Sequence, residues 1–491
     1  MTSKRIFQSF LFLNVFVIFY GYVLGFGKSL WLDELLSIIF GRELSDLNLV
    51  KKFTIDPHAP FFYFLLNFFQ FLLKIFNISV NDNINLLKLI NLIGFIPLFL
   101  SYQILKKEKI QIDINVVFLL LISSNYFIFY ILDLRPYFIL LSFTFLIGVI
   151  NLTNTLEDKH KYLFIISAII LSIFQIYGLT ISMSILLYRS LLNFNKKNFR
   201  KLRINIYFMI VLFIIFFLSY FLQIINPETM STLGYMQFKL WFVRAFLEWT
   251  INTIIFLFFS SLIIIFINIR KELNINLIKD LFKNNIFINI MGQVLPIIIL
   301  LFVVLIASLL IKPIIHFRPL IVIYPSLVLT AGLLAHTLFK NNQYKILLIV
   351  FLIIVTFINV NFYLKNIINT QQNIEWVVKK TFTKDCKNFD VYFNDDGKDD
   401  MLKYVNQIVK IYSENLRPIK PLSSFNLSKY KDNKKIYENC KVLIFSFHTY
   451  NLEKNLSKID YKNLEFEVNY APNVVNEETS KAGAIVLVEQ N

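Results

Sequence analysis

Long apolar runs that follow one another at short intervals, with lysine and arginine gathered in the gaps, are the feature that most limits what this chain can fold into. A helix that crosses a bilayer needs ~20 mostly apolar residues. Runs of about that size are read at 6–26, 61–76, 86–105, 114–132, 136–153, 162–188, 204–225, 250–269, 288–311, 319–339 and 345–364, about eleven in all. Segment 61–76 is short, and 162–192 is long enough for two short helices. Of the 491 residues, 56% are hydrophobic and 16% are charged, where a soluble domain carries ~25% charge. So few charges do not coat a surface of this size. The composition argues against a soluble enzyme, a disordered chain or a secreted disulfide scaffold.

The formal charge of +17 is unevenly placed. Residues 1–364 hold 30 Lys+Arg against 15 Asp+Glu, or +15, and residues 365–491 hold 19 against 17, or +2. The excess sits in the short loops, as orientation by positive charge requires, and does not read as a nucleic-acid signature. Lys4, Arg5, the cluster Lys196–Arg203 and Lys271, Lys340 and Lys345 are placed in the cytoplasm. Counting outward puts loops 27–60, 226–249 and 312–318 on the other side, with the 365–491 tail. Lys106, Lys107, Lys109, Lys159 and Lys161 break simple alternation, so the side on which Asp133–Arg135 lies stays open.

The tail reads as a small α/β domain. Asp390–Asn394, Lys441–Phe447 and Ala484–Val488 have strand character, and Met401, Leu402, Val405, Ile408 and Val409 give helical spacing over 398–413. Cys386 and Cys440, the two cysteines, both fall here, as a disulfide or as two buried thiols.

Loop 27–60 carries the chemistry. It holds Asp33, Glu34, Glu43, Asp46 and Asp56, a third of the acids of residues 1–364. Trp31, Leu32, Leu35, Leu36, Ile38 and Ile39 surround the Asp33–Glu34 pair, which predicts a helix lying along a membrane surface. A carboxylate partly removed from water becomes more basic, as a general base needs. The bland alternative is acids favoured at a helix N-terminus.

These residues resemble the GT-C membrane glycosyltransferases, in particular the dolichyl-phosphate-mannose protein mannosyltransferases and the bacterial aminoarabinose lipid A transferases. The similarity rests on LWLDELL around Asp33, on Asp56-Pro57-His58-Ala59-Pro60 leading to Tyr63, on Asp133-Leu134-Arg135-Pro136-Tyr137, and on His316-Phe317-Arg318-Pro319. One proline of the usual His-Pro-Pro-Leu pattern is missing. The resemblance implies an α-helical polytopic membrane protein of about eleven transmembrane helices, GT-C type, over residues 1–364, with a small C-terminal α/β extracytoplasmic domain over 365–491. It implies an inverting glycosyltransferase that moves a sugar from a polyprenyl-phosphate carrier to a lipid, glycan or protein acceptor. Asp33 is then the catalytic base, with Glu34 beside it. Arg318, His316 and Arg135 meet the donor phosphate, an arginine by two hydrogen bonds. Asp56, His58, Tyr63, Asp133 and Tyr137 contact substrate.

No metal site is assigned. A divalent cation at Asp56 and His58 would have two ligands where a site needs at least three. The expected place is the bacterial plasma (inner) membrane, multi-pass, with the N-terminus cytoplasmic and the C-terminal domain outside. The alternatives weighed are a multi-span lipid or small-molecule transporter and a lipid-linked glycan ligase or polymerase.

Overall fold

The computed structural model describes residues 30, 32–43, 61–78, 84–108, 110–153, 160–195, 197–218, 285–310, 319–338, 374–382, 391–393, 399–413, 418–424, 442–446, 464–470 and 484–490, with scattered single residues elsewhere. They group into two compact units.

The first unit takes in residues 45–64 and 90–361. Its helices are α2 (Phe61–Ile75, which continues into the second unit), α3 (Phe95–Lys107), α4 (Ile114–Ile122), α5 (Asn125–Tyr130), α6 (Tyr137–Leu152), α7 (Lys161–Phe174), α8 (Ile176–Asn195), α9 (Phe199–Phe216), α10 (Asn285–Leu310) and α11 (Tyr324–Leu338). A 3-10 segment, Ile84–Gly94, leads into α3 and another, Pro319–Ile323, into α11. Helix α6 lies at the centre, packed by α3, α7, α10 and α11, and all of its residues but Phe143 are buried. A helix apolar all round is what a buried position demands.

Local chemistry divides the apolar runs. In 114–132 the pair Ser123–Ser124 ends one helix and starts the next. The Ser123 hydroxyl donates to the Leu120 carbonyl at 3.0 Å, and the extended Ser124 accepts from the Phe127 amide at 3.1 Å as an N-cap. Two helices of nine and six residues result. In 162–188, Gln175 takes an extended conformation, φ −161° and ψ 139°, and separates α7 from α8. Asp113 caps α4 by accepting from the amides of Asn115 and Val116.

These divisions overturn the eleven-span architecture. Among the described residues two helices are long and apolar enough to cross a membrane, Ile84–Lys107 and Phe287–Ala307. Phe61–Ile75, Tyr137–Leu152, Lys161–Phe174 and Leu320–His336 are shorter apolar helices. The expected spans 6–26, 250–269 and 345–364 lie mostly outside the described residues. The GT-C type polytopic fold is therefore corrected. So is the multi-pass placement in the bacterial inner membrane with assigned sides, which depended on counting spans. The physical reason is that an apolar run of this length serves equally as a helix buried in protein, and periodicity does not separate the two.

The second unit joins residues 23–44 and 65–89 to 362–491. It holds α1 (Leu32–Glu43), α12 (Ile374–Thr381), α13 (Asp399–Tyr412) and a five-stranded sheet. The strands are β1 (Val391–Phe393), β2 (Ile419–Pro421), β3 (Val442–Ser446), β4 (Leu464–Tyr470) and β5 (Ala484–Gln490), in the order β2-β1-β3-β5-β4. Strand β1 is parallel to β2 and β3, and β5 is antiparallel to β3 and β4. Helix α13 makes the crossover from β1 to β2, as a parallel pair requires. It buries Val405, Ile408 and Val409, the stripe that the spacing marked. Val391, Phe393 and Phe445 fill the centre, with the Phe393 and Phe445 rings 5.2 Å apart. Strands β1, β3 and β5 fall where strand character was read; β2 and β4 were not read. Cys386 and Cys440 lie outside the described residues.

Candidate functional site

The structure distributes the sequence-expected site residues over both units. Helix α1 is formed, and it packs on α13. The Phe40 and Tyr404 rings meet edge to face at 5.7 Å. Leu35, Ile38 and Ile39 are buried, so the helix is enclosed by protein and does not lie along a surface. Glu34 is 3% exposed. Arg42 donates from Nε to Oε1 of Gln70 at 3.1 Å. The Asp33 side chain, Asp56, His58, His316 and Arg318 are outside the described residues.

In the first unit a buried turn between α5 and α6 carries Asp133, Arg135 and Tyr137. Asn91 builds it. Its Nδ2 donates to the carbonyls of Tyr130 at 3.3 Å, Ile131 at 3.2 Å and Asp133 at 2.7 Å. The Arg135 amide donates to the Asp133 carbonyl at 2.7 Å. Leu134 is fully buried and Arg135 is 8% exposed. Around the turn stand aromatic rings. Tyr130 and Tyr137 are 4.8 Å apart, Tyr126 stacks on Tyr130 at 6.0 Å, and Tyr324 lies 5.9 Å from Tyr126. Tyr324 donates to the Leu120 carbonyl at 2.5 Å and accepts from the Thr253 hydroxyl at 3.0 Å. Burial raises the pKa of the Tyr126 and Tyr324 phenols, which stay neutral. Tyr63 is buried at the start of α2, its ring 6.3 Å from that of Phe62.

Asn91 donates to two carbonyls at the end of α5, where helix carbonyls lack an intrahelical partner, and to a third in the turn. Replacing it with leucine takes the amide donor away from the Tyr130 and Ile131 carbonyls, while the Asp133 carbonyl keeps the Arg135 amide. Asn91→Leu is expected to lower stability by about 2 kcal/mol, read as a fall in the thermal midpoint. An unchanged midpoint would contradict the turn-building role.

A second buried polar cluster went unread in the sequence. On α8, Arg189 is 7% exposed, and burial lowers its pKa while leaving it a cation at neutral pH. Its Nε donates to Oδ1 of Asn151 at 2.6 Å and its Nη2 to the Ile150 carbonyl at 2.9 Å. Asn151 Nδ2 donates to the Gly292 carbonyl at 2.7 Å, Gln293 Nε2 to the Gly148 carbonyl at 3.1 Å, and Tyr188 to the Ile288 carbonyl at 2.7 Å. These bonds tie α6, α8 and α10 together. The signal available was a lone arginine inside the apolar run 176–195. No cluster of three or more His, Cys, Asp or Glu suited to a metal ion occurs among the described residues.

Comparison with family models, with curated proteins and with solved structures returned no match. The resemblance to GT-C glycosyltransferases is thereby corrected. Its four short motifs stand in order in the sequence, but neither a family model nor the helix lengths support it. The inverting membrane glycosyltransferase, the multi-span transporter and the glycan ligase rested on the same architecture and go with it.

Proposed function

We propose that this chain works in contact with long-chain lipid. The observation that supports the reading is the amount of apolar surface its helices expose. On α2, Phe61, Phe64, Phe68, Phe71 and Ile75 recur every three or four residues and are 38–57% exposed. Phe62, Leu66 and Leu73 on the other side are buried. Helix α10 repeats the pattern, with Ile298, Leu301, Phe302 and Leu305 exposed and Ile297, Leu300 and Val304 buried. A monomer in water rarely leaves contiguous apolar patches beyond ~300–600 Å². Acyl chains are the occupant that covers such faces without polar partners. In the test, the full chain is moved from detergent into buffer with or without phosphatidylcholine vesicles. It should aggregate without lipid and float with the vesicles. A chain that stays monodisperse in buffer and does not float would overturn the proposal.

We also propose that the chain is an enzyme, with a lipid-phosphate-linked sugar as the donor to test first. The support is Glu34, a carboxyl group 3% exposed next to Asp33 on α1, since a positioned carboxyl group is a common general acid or base. Glu34→Gln should reduce turnover of a labelled donor by ~100-fold or more. Full activity in that variant would remove Glu34 from the chemistry.

A further inference from the structure

We infer that helix α9 holds an anionic glycerophospholipid, with its phosphate at the basic end and its acyl chains along the apolar body; this rests on the lipid-contact reading above. The helix is divided along its length. Lys197, Arg200, Lys201 and Arg203 crowd one end, and no acid lies in its first turn. Asn198 starts the helix by accepting from the Lys201 amide at 3.2 Å, so the turn that presents these cations is ordered. Lys197, Arg200 and Arg203 are exposed, and neither arginine's guanidinium forms an ion pair or side-chain hydrogen bond with a described residue. Four cations within seven residues repel one another and gain from a shared counter-anion.

Immediately beyond, the exposed surface turns wholly apolar. Ile206, Tyr207, Ile210, Phe213, Ile214 and Phe217 are 42–62% exposed. From Arg203 to Phe217 the helix rises ~21 Å at 1.5 Å per residue, about the length of an extended acyl chain. Cation, then apolar rod, is complementary in charge and in length to a molecule with a phosphate at one end and hydrocarbon at the other. Free phosphate would use the first part alone and a neutral lipid the second alone. Arginine suits the phosphate because its planar guanidinium donates two parallel hydrogen bonds.

The experiment uses the full chain in dodecyl maltoside mixed micelles that contain equal amounts of phosphatidylglycerol and phosphatidylcholine. The lipid retained after gel filtration is measured by mass spectrometry. The expected result is a preference for phosphatidylglycerol that falls ~20-fold in Arg200→Gln/Arg203→Gln, from two basic groups at an anionic headgroup. Arg200→Lys/Arg203→Lys should keep most of it. Both arginines are exposed, and circular dichroism of each variant checks that the fold is retained. Equal retention of the two lipids, or a preference unchanged in the glutamine variant, would overturn the inference and leave lipid contact standing. Retention of neither lipid would remove both readings. Displacement of phosphatidylglycerol by an equal concentration of inorganic phosphate would show that the apolar part of the grip is absent, and would overturn it too.

Discussion

Asn151→Ala is expected to destabilise the first unit by about 3 kcal/mol. The substitution removes two hydrogen bonds at once. The Arg189 Nε loses its acceptor at 2.6 Å, and the Gly292 carbonyl loses its donor at 2.7 Å. The guanidinium keeps the bond from Nη2 to the Ile150 carbonyl, yet it is a buried cation with its strongest acceptor gone. A hydrogen bond to a charged group is worth ~1.5–3 kcal/mol and a neutral one ~1 kcal/mol, which sets the size of the effect. Guanidinium unfolding of the full chain in detergent, followed by circular dichroism, reads it. The double variant Asn151→Leu/Arg189→Met tests the cause. Apolar side chains of similar bulk often replace a buried polar group at little cost, so the double variant should be more stable than Asn151→Ala alone. If the single variant unfolds with the parent, Asn151 is not holding the helices together.

The second large effect is expected at Gly178, where α8 begins. A Cβ there would lie 2.4 Å from the Leu171 carbonyl oxygen and 2.9 Å from its carbon. Both are backbone atoms near the C-terminus of α7, and that oxygen already accepts from the Gln175 amide at 3.1 Å. Relief requires the two helices to separate around the extended Gln175. Gly178→Ala should therefore cost about 3 kcal/mol, the upper end for overpacking. Gly332→Ala is the internal comparison. Its Cβ would meet Val117 Cγ2 at 2.1 Å and Ile112 Cγ1 at 2.8 Å, a closer approach on paper but to side chains. Val117 and Ile112 are β-branched and stiff at χ1, yet a side chain can still tilt aside where the backbone of the α7–α8 corner cannot. Thermal midpoints should place Gly178→Ala below Gly332→Ala. The opposite order would mean that the corner yields more easily than the core around α4.

The sequence was most informative where a pattern has one physical solution. The spacing of Leu402, Val405, Ile408 and Val409 allows one buried helix face, and α13 buries Val405, Ile408 and Val409 and half-buries Leu402. Strands β1, β3 and β5 are continuous apolar runs that a buried sheet interior requires. Strand β4, Leu464–Tyr470, alternates with Glu465, Glu467 and Asn469, and β2 is a three-residue edge containing a proline; each gives a weak signal alone. The apolar runs of residues 1–364 have two solutions, lipid outside or protein outside, and reading them all as spans chose between the two without grounds. A serine pair decided 114–132, too slight a signal to outweigh twenty apolar neighbours, whereas one extended glutamine divides 162–192 into the two short helices that its length allowed. For the site, the Asp133–Tyr137 segment was legible as a charged motif between two apolar runs, and not as a buried turn. Its builder, Asn91, lies some forty residues earlier and was legible only as an amide in an apolar run.

The make-up of the second unit has a consequence for synthesis. Its pieces are residues 23–44, 65–89 and 362–491, so α1 leaves the ribosome long before α13, against which it packs. From Glu43, the last residue of α1, to Tyr412, the last of α13, is 412 − 43 = 369 residues. At ~5–20 residues per second that interval is roughly 20–70 s. For that time α1, which carries Leu35, Ile38 and Ile39, is without the helix on which it packs. The nascent chain must keep α1 from aggregation until α13 arrives.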